Sequence, residues 1–457
     1  MLLAETRPVT RPNVVVAVLA LGGIVVSLTQ TLVIPLLPRF PQLLGSSPGD
    51  TAWVVTSTLL ASAVATPVVG RLGDMYGKRR MLLVSLVMLV LGSVIAALSH
   101  SLLPMIAGRA VQGLAVGVIP LGISVMRDEL PAERLASATA LMSASLGVGG
   151  ALGLPAAAFL AEQSDWHVLF WTAAAAGVLV LAAVLIFVPE SAVRSGGRFD
   201  LVGALCLSVA LICLLLGVSK ASSWSAGTTT GLFTAAAVTL LLWGWWELRI
   251  TQPLVDLRTT ARRQVLLTNV ASAVFAFAMF AQSLVLPQIL QLPKATGHGL
   301  GQSLLVTGLV LVPSGLVMMA MAPVSARVTT ARGPRATLML GALVVAFGYG
   351  AGVFLMSAVW QLVVVSAAIG AGIGLAYGAM PALIMGAVPT SETAAANSLN
   401  TLMRAIGTSI SSAVAGVVLT QVTIPFSFRL IMGLGAATAL LAVAVAAFIP
   451  QVSRRTP

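Results

Sequence analysis

The chain alternates between long apolar runs and short polar connections. Runs at 14–37, 53–70, 81–99, 102–126, 135–161 and 168–188 form a first set of six. Runs at 201–218 and 232–246 form a central pair, and those at 265–290, 304–325, 336–356, 359–387, 395–421 and 429–449 form a second six. Most approach or exceed the roughly 20 apolar residues that one helical membrane crossing needs. The pattern predicts an all-α membrane protein of fourteen transmembrane helices. It divides into a six-helix bundle over 1–190, two inserted helices over 191–263 and a second six-helix bundle over 264–457. The run at 14–37 is too long for the apolar core of a secretory leader and reads as a permanent span.

Composition sharpens this picture. Of 457 residues only 8% are charged and 58% are hydrophobic, against about 25% and 45–50% in soluble domains. That excludes a soluble enzyme, and the short connections leave no room for a catalytic domain. The only cysteines, Cys206 and Cys213, lie in one apolar run, and the three histidines are scattered, so neither a disulfide framework nor a metal site is expected. There is no phosphate-binding loop for an ATPase motor, and no cofactor is called for. The net charge of +12 does not point to nucleic acid, because the basic residues sit in connections between spans. With the N-terminus in the cytoplasm, only Arg39, Lys220, Lys294 and Arg429 fall outside, and Arg109 and Arg404 fall within spans. The remaining Lys and Arg, from Arg7 and Arg11 to Arg454 and Arg455, face inward. This asymmetry predicts a multi-pass plasma (inner) membrane protein with both termini cytoplasmic.

The halves look duplicated. Pro67, Arg71, Gly77 and Arg79 recur at one constant offset as Pro323, Arg327, Gly333 and Arg335. A duplicated bundle with a site between its halves is a transporter plan. The central pair has no copy and reads as an insertion peripheral to the bundles.

After the second run the chain reads Gly70-Arg71-Leu-Gly-Asp74-Met-Tyr-Gly77-Lys78-Arg79-Arg80. This resembles motif A of the major facilitator superfamily. Gly108-Arg109-Ala-Val-Gln112-Gly113 is similar to that superfamily's R-x-x-Q-G motif. Gly147, Gly149, Gly150, Gly153 and Pro155 resemble its antiporter motif in degraded form. Together with fourteen spans, these features resemble the drug:proton antiporter branch. The resemblance implies the major facilitator fold and a secondary transporter. Its expected task is export of small organic or drug-like compounds by alternating access, driven by protons, as a monomer in the bilayer. Uptake, facilitated diffusion, or moving or sensing lipid are the alternatives.

Motif A reads as a gate. Gly70 and Gly77 permit close approach and tight turning. Asp74, in a short cytoplasmic loop, is placed to meet a neighbouring helix N-terminus. Arg71, Lys78, Arg79 and Arg80 bring positive charge, with Asp128 and Glu129 at the fourth span as acidic partners. The second-half copy has Thr330 where Asp74 stands.

No acid lies mid-span, which departs from the usual first-span carboxylate of the drug-exporting branch. The in-span charges are Arg109 and Arg404, each a functional candidate by its cost of insertion. Asn397, Thr401, Arg404, Thr408 and Ser411 share a helical face. With Gln30, Gln112, Asn269 and Gln282 they form the expected substrate cavity, electropositive and suited to neutral, zwitterionic or anionic compounds. Gly370, Gly374 and Gly378 read as a packing ridge, and Trp243, Trp245 and Trp246 as an interfacial belt. His100, His167 and His298 read as solvated outer-loop residues.

Overall fold

The computed structural model describes residues 12–36, 39–51, 53–163, 165–191, 193–220, 224–296, 299–421 and 426–450. Arg7, Arg11, His298, Arg454 and Arg455 lie outside them. Fourteen long helices are present among the described residues. The first six are α1 (Pro12–Thr31), α2 (Trp53–Tyr76), α3 (Lys78–Ala97), α4 (Leu102–Glu129), α5 (Ala132–Gln163) and α6 (His167–Phe187). The central pair is α7 (Leu201–Lys220) and α8 (Ala226–Glu247). The last six are α9 (Arg263–Gln291), α10 (Leu305–Arg332), α11 (Pro334–Phe354), α12 (Val359–Met385), α13 (Thr393–Gln421) and α14 (Phe426–Ala447). All but α13, part of which lies outside the described side chains, are both long and apolar enough to cross a membrane.

Helices α1 to α6 pack among themselves, α1 on α5 and α6 and α3 on α4 and α6. Helices α9 to α14 do the same, α11 on α12 and α14 and α9 on α13 and α14. Each group has its own apolar core, one around Leu86, Leu121 and Met142 and the other around Phe275, Tyr349 and Met380. Two seams join the groups, α2 against α13 and α5 against α10 and α12. Small residues bring these helices together. The Gly370, Gly374 and Gly378 ridge is packing: Cβ atoms there would meet Ser314, Met318 and Ser325 of α10 at 2.3, 2.4 and 2.6 Å. The degenerate antiporter motif is a second such face. A Cβ on Gly149 would stand 2.5 Å from the Ile24 carbonyl of α1, while Gly147 faces Met318.

The central pair departs from expectation. Helix α8 is mostly exposed, as lipid contact requires, but α7 packs on both α2 and α13. Its leucines share a core with Ala63, Leu402, Leu254 and Val255. The pair therefore lies over one of the two seams instead of beside the bundle. Nor do its tryptophans form a belt: Trp245 is exposed, Trp243 is buried, and the Trp246 indole N–H is bonded to Asp200.

Candidate functional site

The motif end of α2 positions the first cluster. Helix α2 continues to Tyr76, so Arg71 and Asp74 sit on its last turns and not in a loop. The loop shrinks to Gly77, whose φ of 117° only glycine adopts without strain, and α3 starts at Lys78. A Cβ on Gly70 would stand 2.3 Å from Ser398 Oγ and 2.8 Å from the Ala394 carbonyl oxygen, so α2 and α13 touch backbone to backbone here.

That contact places Asp74, fully buried, at the start of α13. Its carboxylate accepts the Ala394 N–H at 3.1 Å and the Ala395 N–H at 2.8 Å. These donors have no partner within their own helix, and the helix dipole favours a negative charge at this point. Lys78, also fully buried, lies 3.9 Å from Asp74 and 2.5 Å from Asp128 of α4. It also reaches the Thr390 carbonyl at 3.5 Å. Arg127 donates to Thr393 Oγ1 at 2.5 Å and to the Val388 carbonyl at 3.0 Å. The cluster thus ties α2, α3 and α4 to the start of α13.

Not every expected member joins it. Arg79 donates its N–H to Glu190 at 3.3 Å and its guanidinium to the Leu185 carbonyl at 2.7 Å, away from Asp128. Glu129 and Arg80 make no ion pair among the described residues. Arg127, Glu190 and Ser191, whose hydroxyl bonds Asp128, were not singled out by sequence reading. Arg127 alone carried a signal, as a cation beside Asp128. In the second half Thr330 bonds its own helix at the Ala326 and Arg327 carbonyls, and Arg335 bonds the Ala447 carbonyl.

The mid-span polar residues form separate nodes. Arg109 is 2% exposed and donates to the Thr29 carbonyl at 3.0 Å, the Val54 carbonyl at 3.3 Å and Gln112 Oε1 at 2.7 Å. Gln112 in turn donates to Ser93 Oγ at 2.7 Å. Arg109 therefore fastens α1 and α2 to α4 through carbonyls. Arg404 of α13 stacks 4.7 Å above the Tyr377 ring and donates to Thr401 Oγ1 at 3.1 Å. It has no carboxylate partner among the described residues. Asn269 accepts from Asn400 at 2.9 Å, and Gln282 donates to Ser314 at 3.3 Å. Asn269 Nδ2, Gln282 Oε1 and Ser411 Oγ are buried without hydrogen-bond partners among the described residues. Thr408 bonds its own helix at Ala405, Asn397 bonds the Thr393 carbonyl, and Gln30 is exposed at the end of α1.

The histidines are not scattered as expected. His100 and His167 have ring centroids 5.0 Å apart, and His167 stacks on Trp166 at 3.7 Å. His167 faces Asp165 through Nδ1 and the Ser99 carbonyl through Nε2. Hydrogen bonds from the His167 backbone N–H and ring hold the Asp165 carboxyl below the usual carboxylate range. No group of three metal-ligating side chains is present among the described residues.

This architecture of two helical bundles, with a charged cluster at one seam, defines a polytopic membrane protein. The Major Facilitator Superfamily profile matches residues 19–218 and 268–457, and the chain belongs to that superfamily. An uncharacterized MFS-type transporter of Mycobacterium tuberculosis (strain CDC 1551 / Oshkosh) is 30% identical over 67% of this chain. The chain spans 45% of that relative's length. A multidrug resistance protein B homolog of the same organism is 29% identical over 82% of this chain and 70% of its own. Among solved structures, the human organic anion transporter MFSD10 (TETRAN) aligns over 95% of this chain and 99% of its own, with TM-score 0.68 and 16% identity. That likeness concerns the fold.

Proposed function

We propose that this chain is a secondary active transporter that exports small organic or drug-like compounds against proton entry by alternating access. The observation that carries the reading is the closure of Asp74 on the start of α13, with Lys78 and Asp128 behind it. Such a bond can form only while the motif end is shut, so making and breaking it is a switch between two packings. The motif end faces the cytoplasm, as do both termini, and the carrier works as a monomer. Residues 1–190 and 264–457 are the two rocking bundles, and 191–263 carry the inserted pair. Of the expected gate residues, Gly70, Asp74, Gly77, Lys78 and Asp128 form the closure and Arg71 stands on the same helix, while Arg79 and Glu129 flank it. Of the expected cavity residues, Gln30, Asn269, Gln282, Thr401, Arg404 and Thr408 line the substrate path, and the Arg109–Gln112 pair braces its wall. Arg404, with no carboxylate partner among the described residues, makes that path favour neutral, zwitterionic or anionic compounds. Relatives named for multidrug resistance support export.

The test is flux in liposomes carrying the purified chain under an imposed pH gradient, with one cationic, one neutral and one anionic fluorescent dye. Gradient-driven accumulation of the neutral or anionic dye, reduced at least tenfold by Asp74→Asn and by Arg404→Gln, is expected. Absence of gradient-dependent flux for all three dyes overturns the reading.

A further inference from the structure

Glu247 ends α8, and Asp200 immediately precedes α7 beside it. Both are buried, 3% and 5% exposed. Their carboxylates crowd one point: a Cβ built on Gly203 would stand 2.0 Å from Asp200 Oδ2 and 2.9 Å from Glu247 Oε1. Their surroundings differ. Asp200 accepts the Gly203 N–H at 2.9 Å and the Trp246 indole N–H at 3.2 Å to each oxygen. The Leu254 and Val255 N–H groups and the Trp243 indole lie beside Glu247, yet neither of its oxygens has a hydrogen bond of sound geometry. Neither acid takes part in an ion pair among the described residues.

Two buried carboxylates this close cannot both be ionised without a large penalty. The donors decide which one keeps its charge. Asp200 has two, and Glu247 has an O–H to offer only if it is protonated. We propose that Asp200 and Glu247 form a proton-binding pair, with the proton on Glu247, that fastens the inserted helices to the gate end of the carrier.

Glu247 faces a cavity of about 430 Å³ shared with Arg71 of α2, Arg249, Asp256 and Arg258 of the α8–α9 connection, and Glu392 ahead of α13. Helix α9 adds Val265 to its wall, and no charged residue. Most of these charges are engaged. Arg249 stacks on Trp245 at 4.0 Å, Arg258 donates to the Leu248 carbonyl at 3.3 Å, and Asp256 caps the turn Leu257–Thr260. Arg71 makes no hydrogen bond or ion pair among the described residues. It stands on the same helix as Asp74, one turn earlier. When Glu247 loses its proton, the new negative charge draws Arg71 across the cavity, and the pull acts on the helix that holds the latch. The inserted pair thereby reports cytoplasmic pH to the gate.

Infrared difference spectroscopy between acid and alkaline pH, on the full chain in liposomes, reads this proton without any substrate. The expected result is a buried-acid C=O band that titrates, persists in Asp74→Asn and is lost in Glu247→Gln. A band that survives Glu247→Gln unchanged, or no such band in the wild type, overturns the proposal. Should Glu247→Gln fail to fold, Asp200→Asn keeps Glu247 and removes the negative charge beside it. Its band should then titrate about one pH unit lower, and an unmoved midpoint overturns the proposal equally.

Discussion

Replacing Asp74 with asparagine isolates the latch, because it keeps the side chain's size and one acceptor oxygen and removes the charge. In the closed state Asp74 receives two backbone N–H bonds, at 3.1 and 2.8 Å, from the start of α13. A hydrogen bond to a charged group is worth about 1.5–3 kcal/mol, and the dipole of a helix start adds up to about 1 kcal/mol. Asparagine keeps part of this, so the loss is about 2 kcal/mol, a roughly thirtyfold shift from closed to open. Lys78 then faces Asp128 alone, which limits the damage to the fold. Ser398 gives the readout. It is fully buried against Gly70, and Ser398→Cys, in a chain without Cys206 and Cys213, should label slowly with an impermeant maleimide in inside-out vesicles. Adding Asp74→Asn should raise that rate by more than tenfold, with transport falling in parallel. Equal labelling in both backgrounds would falsify the latch.

Gly70→Ala should open the same seam without touching a charge, since its Cβ meets Ser398 Oγ and the Ala394 carbonyl; Ser398→Gly should restore part of the lost closure, and no recovery in the same labelling assay refutes the steric account. Arg109→Met leaves the Thr29 and Val54 carbonyls and Gln112 without their donor, costing about 3 kcal/mol and lowering the thermal midpoint in detergent by roughly 5 °C or more, and an unchanged midpoint refutes its structural role. At the opposite end Asp165, held below its ordinary value of 3.8 by His167, stabilises the fold above that pH and loses its contribution as pH falls through its lowered value. Asp165→Asn should therefore flatten the acid limb of thermal stability below about pH 4, and identical limbs for both chains refute the contact.

The spans were legible because lipid leaves long apolar runs as the only solution, and the halves because Pro67, Arg71, Gly77 and Arg79 recur. The charged cluster at the α2–α13 seam was legible as a spacing. What spacing could not show is that α2 runs on to Tyr76, which turns Asp74 from a loop residue into a buried one. Nor could it show that Arg79 turns toward Glu190 instead of Asp128. Acids at helix ends look alike in a sequence, whether solvated like Asp165 or buried like Asp200 and Glu247. Only the packing of α7 over the α2–α13 seam separates them. The Arg109 node was visible as an in-span cation, but its partners are backbone carbonyls, which leave no trace in residue types.

Where the first half carries Asp74, the second carries Thr330, which bonds the Ala326 and Arg327 carbonyls of its own helix among its contacts. The two seams of this duplicated plan are therefore fastened by different chemistry. At α2–α13 a carboxylate grips a helix start, while at α5–α10 and α10–α12 small residues let backbones close on one another. A change of charge reads out at one seam only, and a change of side-chain size at both.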